Sequence, residues 1–233
     1  MLAPNFSKIS GVLPKLFAAT FNHLGRAFLG LMVLTGMLSL AAAPALAHHP
    51  LGGRLPANFF EGLMSGVGHP VIGLDHLAFV IAAGLIAATR PKGVLIPIMF
   101  VLASLAGTAI HLMSLDLPAP EFVISASVLA FGVILAMGNK LNLATVASLA
   151  ALAGVFHGFA YGEGIFGAEP TPMAAYLIGF AGIQMAITLL FAFIGSNVVK
   201  RSTALPSLNL NLRFAGFTLA GIGLAFLSSV VIG

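Results

Sequence analysis

The chain has 233 residues, of which 59% are apolar and only 7% charged, and its mean hydropathy is +1.09. Ordinary soluble domains carry about a quarter charged residues, too many for this chain to imitate, so a soluble enzyme, a nucleic-acid binder and a disordered protein are excluded. The ten basic residues give a formal charge of +4 but do not cluster as a nucleic-acid footprint would. The expected fold class is all-α: a polytopic helix bundle in a lipid bilayer.

Residues 1–47 read as a cleavable signal peptide. Lys8, Lys15 and Arg26 give a positive start, Ala27 to Ala43 an apolar core, and Ala45-Leu46-Ala47 a cleavage site of the A-x-A type. An uncleaved first span is the alternative. Three of the ten basic residues belong to this segment, so much of the high isoelectric point is lost if it is removed. Cysteine is absent, which removes disulfides and thiolate metal sites.

Residues 48–233 form one domain with six apolar segments, at about 70–89, 93–113, 121–138, 143–160, 173–195 and 214–232. Residues 57–68 either extend the first or lie along the surface. Arg90-Pro91-Lys92 and Gly138-Asn139-Lys140 are tight polar turns, Pro118 and Pro120 interrupt one loop, and Pro170 and Pro172 another. Residues 196–212 are expected to be the longest loop.

Charge sets the direction of insertion. With the mature N-terminus outside, the cytoplasmic loops contain Arg90, Lys92, Lys140, Lys200, Arg201 and Arg213 and no acidic residue. The outer side holds Arg54 against Glu61, Asp116, Glu121, Glu163 and Glu169. The signal and the loops agree on an N-out, C-out chain in a bacterial inner membrane, with an internal membrane as the alternative.

Every histidine of the mature chain then falls on the outer half. Neutral imidazole suits nickel, cobalt, copper and zinc, and carboxylates add compensating charge. Ionisable groups inside a span are expensive and usually functional. The densest motif is His69-Pro70-Val71-Ile72-Gly73-Leu74-Asp75-His76. In an unbroken helix His69 and His76 share a face but lie about 10 Å apart along the axis. Either Pro70 and Gly73 break the helix so that one ion reaches both, or two successive sites pass an ion inward. Asp75 points away from His76, toward His111 or His157 on a neighbouring helix. The structural alternative is that Asp75 and His76 only bond helices together.

Ser104, Thr108 and His111 make one polar stripe on span two, with helix packing as the simpler role for the two hydroxyls. His111 stands evenly between ligand and packing residue. In span four, Gly154, Gly158 and Gly162 permit close helix approach, while His157 and Tyr161 share another face and Glu163 follows at the mouth. Gln184 and Thr188 read as polar glue in span five. Phe79, Met99, Phe100, Met113 and Met185 read as packing or lipid-facing residues. After cleavage behind Ala47, the His48 amine with the His49 amide and imidazole would suit a square-planar Ni(II) or Cu(II); otherwise the two form a weakly scavenging tail.

The pattern His69-Pro70-x-x-Gly73-x-Asp75-His76, with Phe156-His157-Gly158-x-Ala160-x-Gly162-Glu163 later, resembles the HupE/UreJ family. The resemblance implies a secondary permease for nickel, in some members cobalt, associated with hydrogenase and urease gene clusters. It implies metal binding by His69, Asp75 and His76, with His157 and Glu163 as a second group. The chain departs from the family pattern at Tyr161, where histidine is frequent, and late in span five, where Phe191 stands. Fewer nitrogens leave cobalt or another divalent ion as open as nickel.

The resulting expectation is a non-enzymatic permease for Ni2+ or Co2+ with no organic cofactor. A homo-oligomer or a metallochaperone is a further partner. No G-x-x-x-x-G-K-[ST] motif is present, so ATP hydrolysis by that route is not expected. Two alternatives stand beside it. One is an intramembrane zinc hydrolase, in which histidines and an aspartate activate a water. The other is a non-transporting metal-binding accessory subunit.

Overall fold

A computed structural model describes residues 54–138, 140–201 and 209–232. The signal segment, its cleavage site and His48 and His49 lie outside the described residues. Among the described residues the regular structure is helical: α1 Phe59–Ile72, α2 Leu74–Ala87, α3 Leu95–Leu112, α4 Pro120–Ala136, α5 Leu143–Glu163, α6 Pro170–Lys200 and α7 Leu210–Ile232.

Residues 57–68 do not simply prolong the first span. Asn58 caps a separate helix by accepting the Glu61 N–H at 2.9 Å, and Glu61 also pairs with Arg54 at 2.8 Å. That carboxylate raises the pKa of the exposed Arg54 guanidinium above its ordinary value. Pro70 lies in the last turn of α1 and donates no hydrogen bond. Gly73 is extended, with φ −70° and ψ 99°, and α2 leaves at 77° to α1. The break expected from Pro70 and Gly73 is present.

Four helices, α3, α5, α6 and α7, are long and apolar enough to cross a bilayer, and the bent pair α1–α2 makes a fifth if it counts as one span. α4 is apolar but only 17 residues long, short of the ~20 that a full span takes. The fifth segment is longer than expected: α6 has 31 residues, about 46 Å at 1.5 Å per residue. It runs on to Lys200, so the loop expected at 196–212 begins five residues later.

α2 lies at the centre. It packs against α6, α4, α7 and α3, and its face is apolar nearly all round, as a fully enclosed helix requires. Contacts fix relative directions. Gly66 abuts Tyr176, and Gly195 abuts Ala88, so α1 and α2 run with α6. Phe79 meets Phe131 as His157 bridges His76 and Ser127, so α4 runs the same way. α3 runs with α5, and α7 runs against α4. The α3–α5 seam is tight: a Cβ on Gly158 would overlap the Ser104 carbonyl, and one on Gly107 the Val155 carbonyl. Arg90, Lys92, Lys140, Lys200, Arg201 and Arg213 consequently gather at one end of the bundle. There the Arg213 Nε donates to the Ala136 carbonyl at 2.9 Å, closing the C-terminus of α4.

Candidate functional site

The helix break carries His69 on one arm and His76 on the other. Both rings are buried, and their centroids are 5.9 Å apart. An unbroken helix would separate them by about 10 Å along its axis; the 77° turn at Gly73 brings them together. The Tyr161 ring from α5 lies against both, at 5.0 Å from His69 and 4.6 Å from His76. His157 continues the file inward, 4.9 Å from His76.

The hydrogen bonds fix the neutral tautomers. The Tyr176 hydroxyl donates its only proton to the Tyr161 carbonyl at 2.9 Å. It therefore accepts from His69 Nδ1, 2.7 Å away, and the His69 lone pair is on Nε2. The Ser127 hydroxyl donates to the Ile124 carbonyl at 2.7 Å. It therefore accepts from His157 Nε2 at 3.0 Å, which puts the His157 lone pair on Nδ1. That nitrogen faces His76 Nδ1 at 2.7 Å, so His76 is the donor and its own lone pair is on Nε2. Two Nε2 lone pairs thus belong to His69 and His76, and one Nδ1 lone pair to His157, nearer the basic end of the bundle.

A nitrogen pair 2.7 Å apart holds a proton, not a metal ion. Two nitrogens at ~2.05 Å from one tetrahedral ion lie about 3.3 Å apart. An ion between His76 and His157 requires the rings to part by roughly 0.6 Å. Among the described residues, no three histidine, aspartate or glutamate side chains form a ready metal cage. The arrangement is a file of single imidazoles and one nitrogen pair.

Asp75 is buried, and its Oδ1 accepts the His76 backbone N–H at 2.8 Å in the first turn of α2. A carboxylate there is favoured by the helix dipole. Its expected partner His157 has both ring nitrogens engaged by His76 and Ser127. Glu163 ends α5 and is exposed. Asp75 and Glu163 both lie within electrostatic range of Glu121, at the start of α4, so three carboxylates stand near one another at the end of the bundle opposite the basic one.

His111 stands apart. Its ring is edge-on to Phe159 at 4.6 Å and Phe166 at 5.7 Å, and it packs on Gly162. On the same helix Thr108 bonds across to the next helix, donating to the Gly158 carbonyl at 2.7 Å, whereas Ser104 donates within its own helix, to the Val101 carbonyl at 2.9 Å. Thr188 donates to the Gln184 carbonyl at 2.6 Å, a bond within α6 itself and not a link between helices.

Toward the basic end of the bundle the file is closed by rings. Phe79 lies 4.7 Å from His157 and from Phe100, and 4.6 Å from Phe131. Among the described residues, the buried Tyr161 hydroxyl, Gln184 Oε1 and His111 Nδ1 have no hydrogen-bond partner. Such groups cost about 1–3 kcal/mol each when left unmet, and Tyr161 belongs to the ring that lies against His69 and His76.

Tyr176 and Ser127 were not among the residues expected at the site. Tyr176 is one turn from Phe180 and two from Gln184, a spacing that places it on the buried face of α6. Ser127 has no comparable signal, since a serine in a span reads first as packing.

The chain matches the family described as HupE / UreJ protein over residues 28–226. It is also 30% identical over 161 residues to Protein HupE of Rhizobium leguminosarum bv. viciae, covering 67% of this chain and 80% of that one. No solved structure matches it.

Proposed function

Because the chain belongs to the HupE/UreJ family, we propose that it is a secondary permease for a divalent transition-metal ion, Ni2+ or Co2+, supplying metalloenzyme assembly. The observation that carries this reading is the buried file His69–His76–His157 at the break between α1 and α2. Three imidazoles from two chain segments are costly to bury in a bundle this apolar unless they serve a polar cargo.

The carboxylates of Asp75, Glu121 and Glu163 draw the hydrated cation to the mouth. His69 Nε2 and His76 Nε2 replace part of its water. The His76 and His157 rings then part, and the ion takes the His157 Nδ1 lone pair in place of the His76 N–H. Neutral nitrogen and scattered carboxylates hold the ion less tightly than a four-ligand cage, which suits passage. Nickel and cobalt both accept this donor set.

In this reading residues 1–47 are removed, α4 completes six spans, and the basic end of the bundle faces the cytoplasm of a bacterial cell, N-out and C-out. His69 then opens to the outside, and the direction of transport is import.

The test is uptake of labelled Ni2+ and Co2+ into proteoliposomes containing the purified full chain. His76→Ala is expected to reduce uptake by at least about tenfold. No uptake by the unaltered chain above protein-free liposomes would overturn the permease reading, and full uptake by His76→Ala would take the ion off the histidine file.

A further inference from the structure

We propose that Gln184 and Ser104 form a second, oxygen-lined station for the cation beside the histidine pair, from which it continues inward along α6. The inference rests on the permease reading and adds to it a site and a route.

The straight path is blocked. Phe79, Phe100 and Phe131 lie three or four residues, about one turn, beyond His76, Ser104 and Ser127 toward the basic end, and all three are buried against one another or against His157. A partly hydrated ion cannot cross such a block without shedding every polar ligand. The alternative runs down α6, where polar side chains stand on either side of one phenylalanine. Tyr176, Phe180, Gln184 and Thr188 follow one another every four residues, and all are fully buried. The stripe is about 18 Å long. Its top holds His69 through Tyr176, and Phe180 touches Tyr161 at 5.2 Å. Its bottom, Thr188, meets Gly84 of α2 through its carbonyl.

Gln184 is the polar step between them. Its Nε2 donates to the Phe180 carbonyl at 3.1 Å and reaches Ser104 Oγ at 3.5 Å. The Phe180 contact requires a donor, so the amide cannot be flipped, and the group without a partner among the described residues is Oε1. The Ser104 backbone lies against Gly158, next in the chain to His157, so the station is level with the inner end of the file. Amide and hydroxyl oxygens are neutral, harder donors than imidazole. They offer a hydrated divalent cation a weak hold and an easy release, which the inner end of a permease needs.

The test uses the full chain in proteoliposomes with Co2+. Gln184→Met, which keeps the volume and removes the carbonyl, is expected to lower the maximal uptake rate by at least about tenfold. The half-saturating concentration, set at the histidines, should stay within about twofold. Ser104→Ala removes a single atom and should lower the maximal rate in the same direction, which separates loss of the station from loss of the fold. Gln184→Glu, with an oxygen and a charge, should hold Co2+ more tightly and release it more slowly. Wild-type rates in Gln184→Met, or in Ser104→Ala, would overturn the station, leaving Oε1 with a trapped water only. No Co2+ uptake by the unaltered chain above protein-free liposomes would instead sink the permease reading itself.

Discussion

The Tyr176 hydroxyl lies 2.7 Å from His69 Nδ1 and donates onward to the Tyr161 carbonyl. One tyrosine on α6 thereby sets the tautomer of a histidine on α1 and ties it to the backbone of α5. Partners of this kind typically change metal affinity or activity by 10–100-fold when removed. Tyr176→Phe keeps the ring packing on Phe180. We expect it to raise the half-saturating Ni2+ or Co2+ concentration by about tenfold while leaving the fold intact. Proteoliposome uptake at varied ion concentration checks this, and nitrogen NMR of the His69 ring should show mixed tautomers.

His76 and His157 act through one shared contact, Nδ1 to Nδ1 at 2.7 Å. Residues that work as a unit are not additive. His76→Ala and His157→Ala should each depress uptake by at least about tenfold, and the double variant should be little worse than either. Effects that multiply would mean that the two rings serve separate steps.

The sequence made the break visible because Pro70 and Gly73 have backbone consequences that need no tertiary context. The grouping of histidines at one end was equally legible, since loop charge orders the ends of the bundle independently of packing. The order within the file was not. Whether Asp75 faces His157 depends on how far α2 rotates after the bend, and the bend angle comes from packing against α6. Tyr176 and Ser127 were hidden for a related reason: a single polar residue in an apolar helix looks the same whether it bonds its own backbone or orients a ring on a neighbour. The length of α6 was misjudged because Ser196 and Asn197 read as loop residues. In the fold they return their hydrogen bonds to the Phe193 carbonyl and continue the helix.

His111 tests whether the file, and not histidine content, carries the function. Its ring packs on Phe159, Phe166 and Gly162, away from His76 and His157. His111→Ala should leave uptake within about twofold of the unaltered protein, measured in the same liposomes. A tenfold loss would place a ligand on α3 and redraw the route.

Gly158 tests the scaffold. Any side chain there meets the Ser104 backbone carbonyl, which belongs to a helix and cannot swing aside as a flexible side chain would. Overpacking of this kind costs typically about 1–3 kcal/mol. The displaced backbone also carries Ser104, and Gly158 adjoins His157 and supplies the carbonyl that Thr108 holds at 2.7 Å. Gly158→Ala should therefore lower the Tm in detergent and reduce uptake together. Gly182, with open space around its Cα, is the control: Gly182→Ala should raise or hold the Tm, because alanine is the better helix former by about 1 kcal/mol. Equal melting of the two variants would show that the α3–α5 seam yields more readily than its backbone contacts imply.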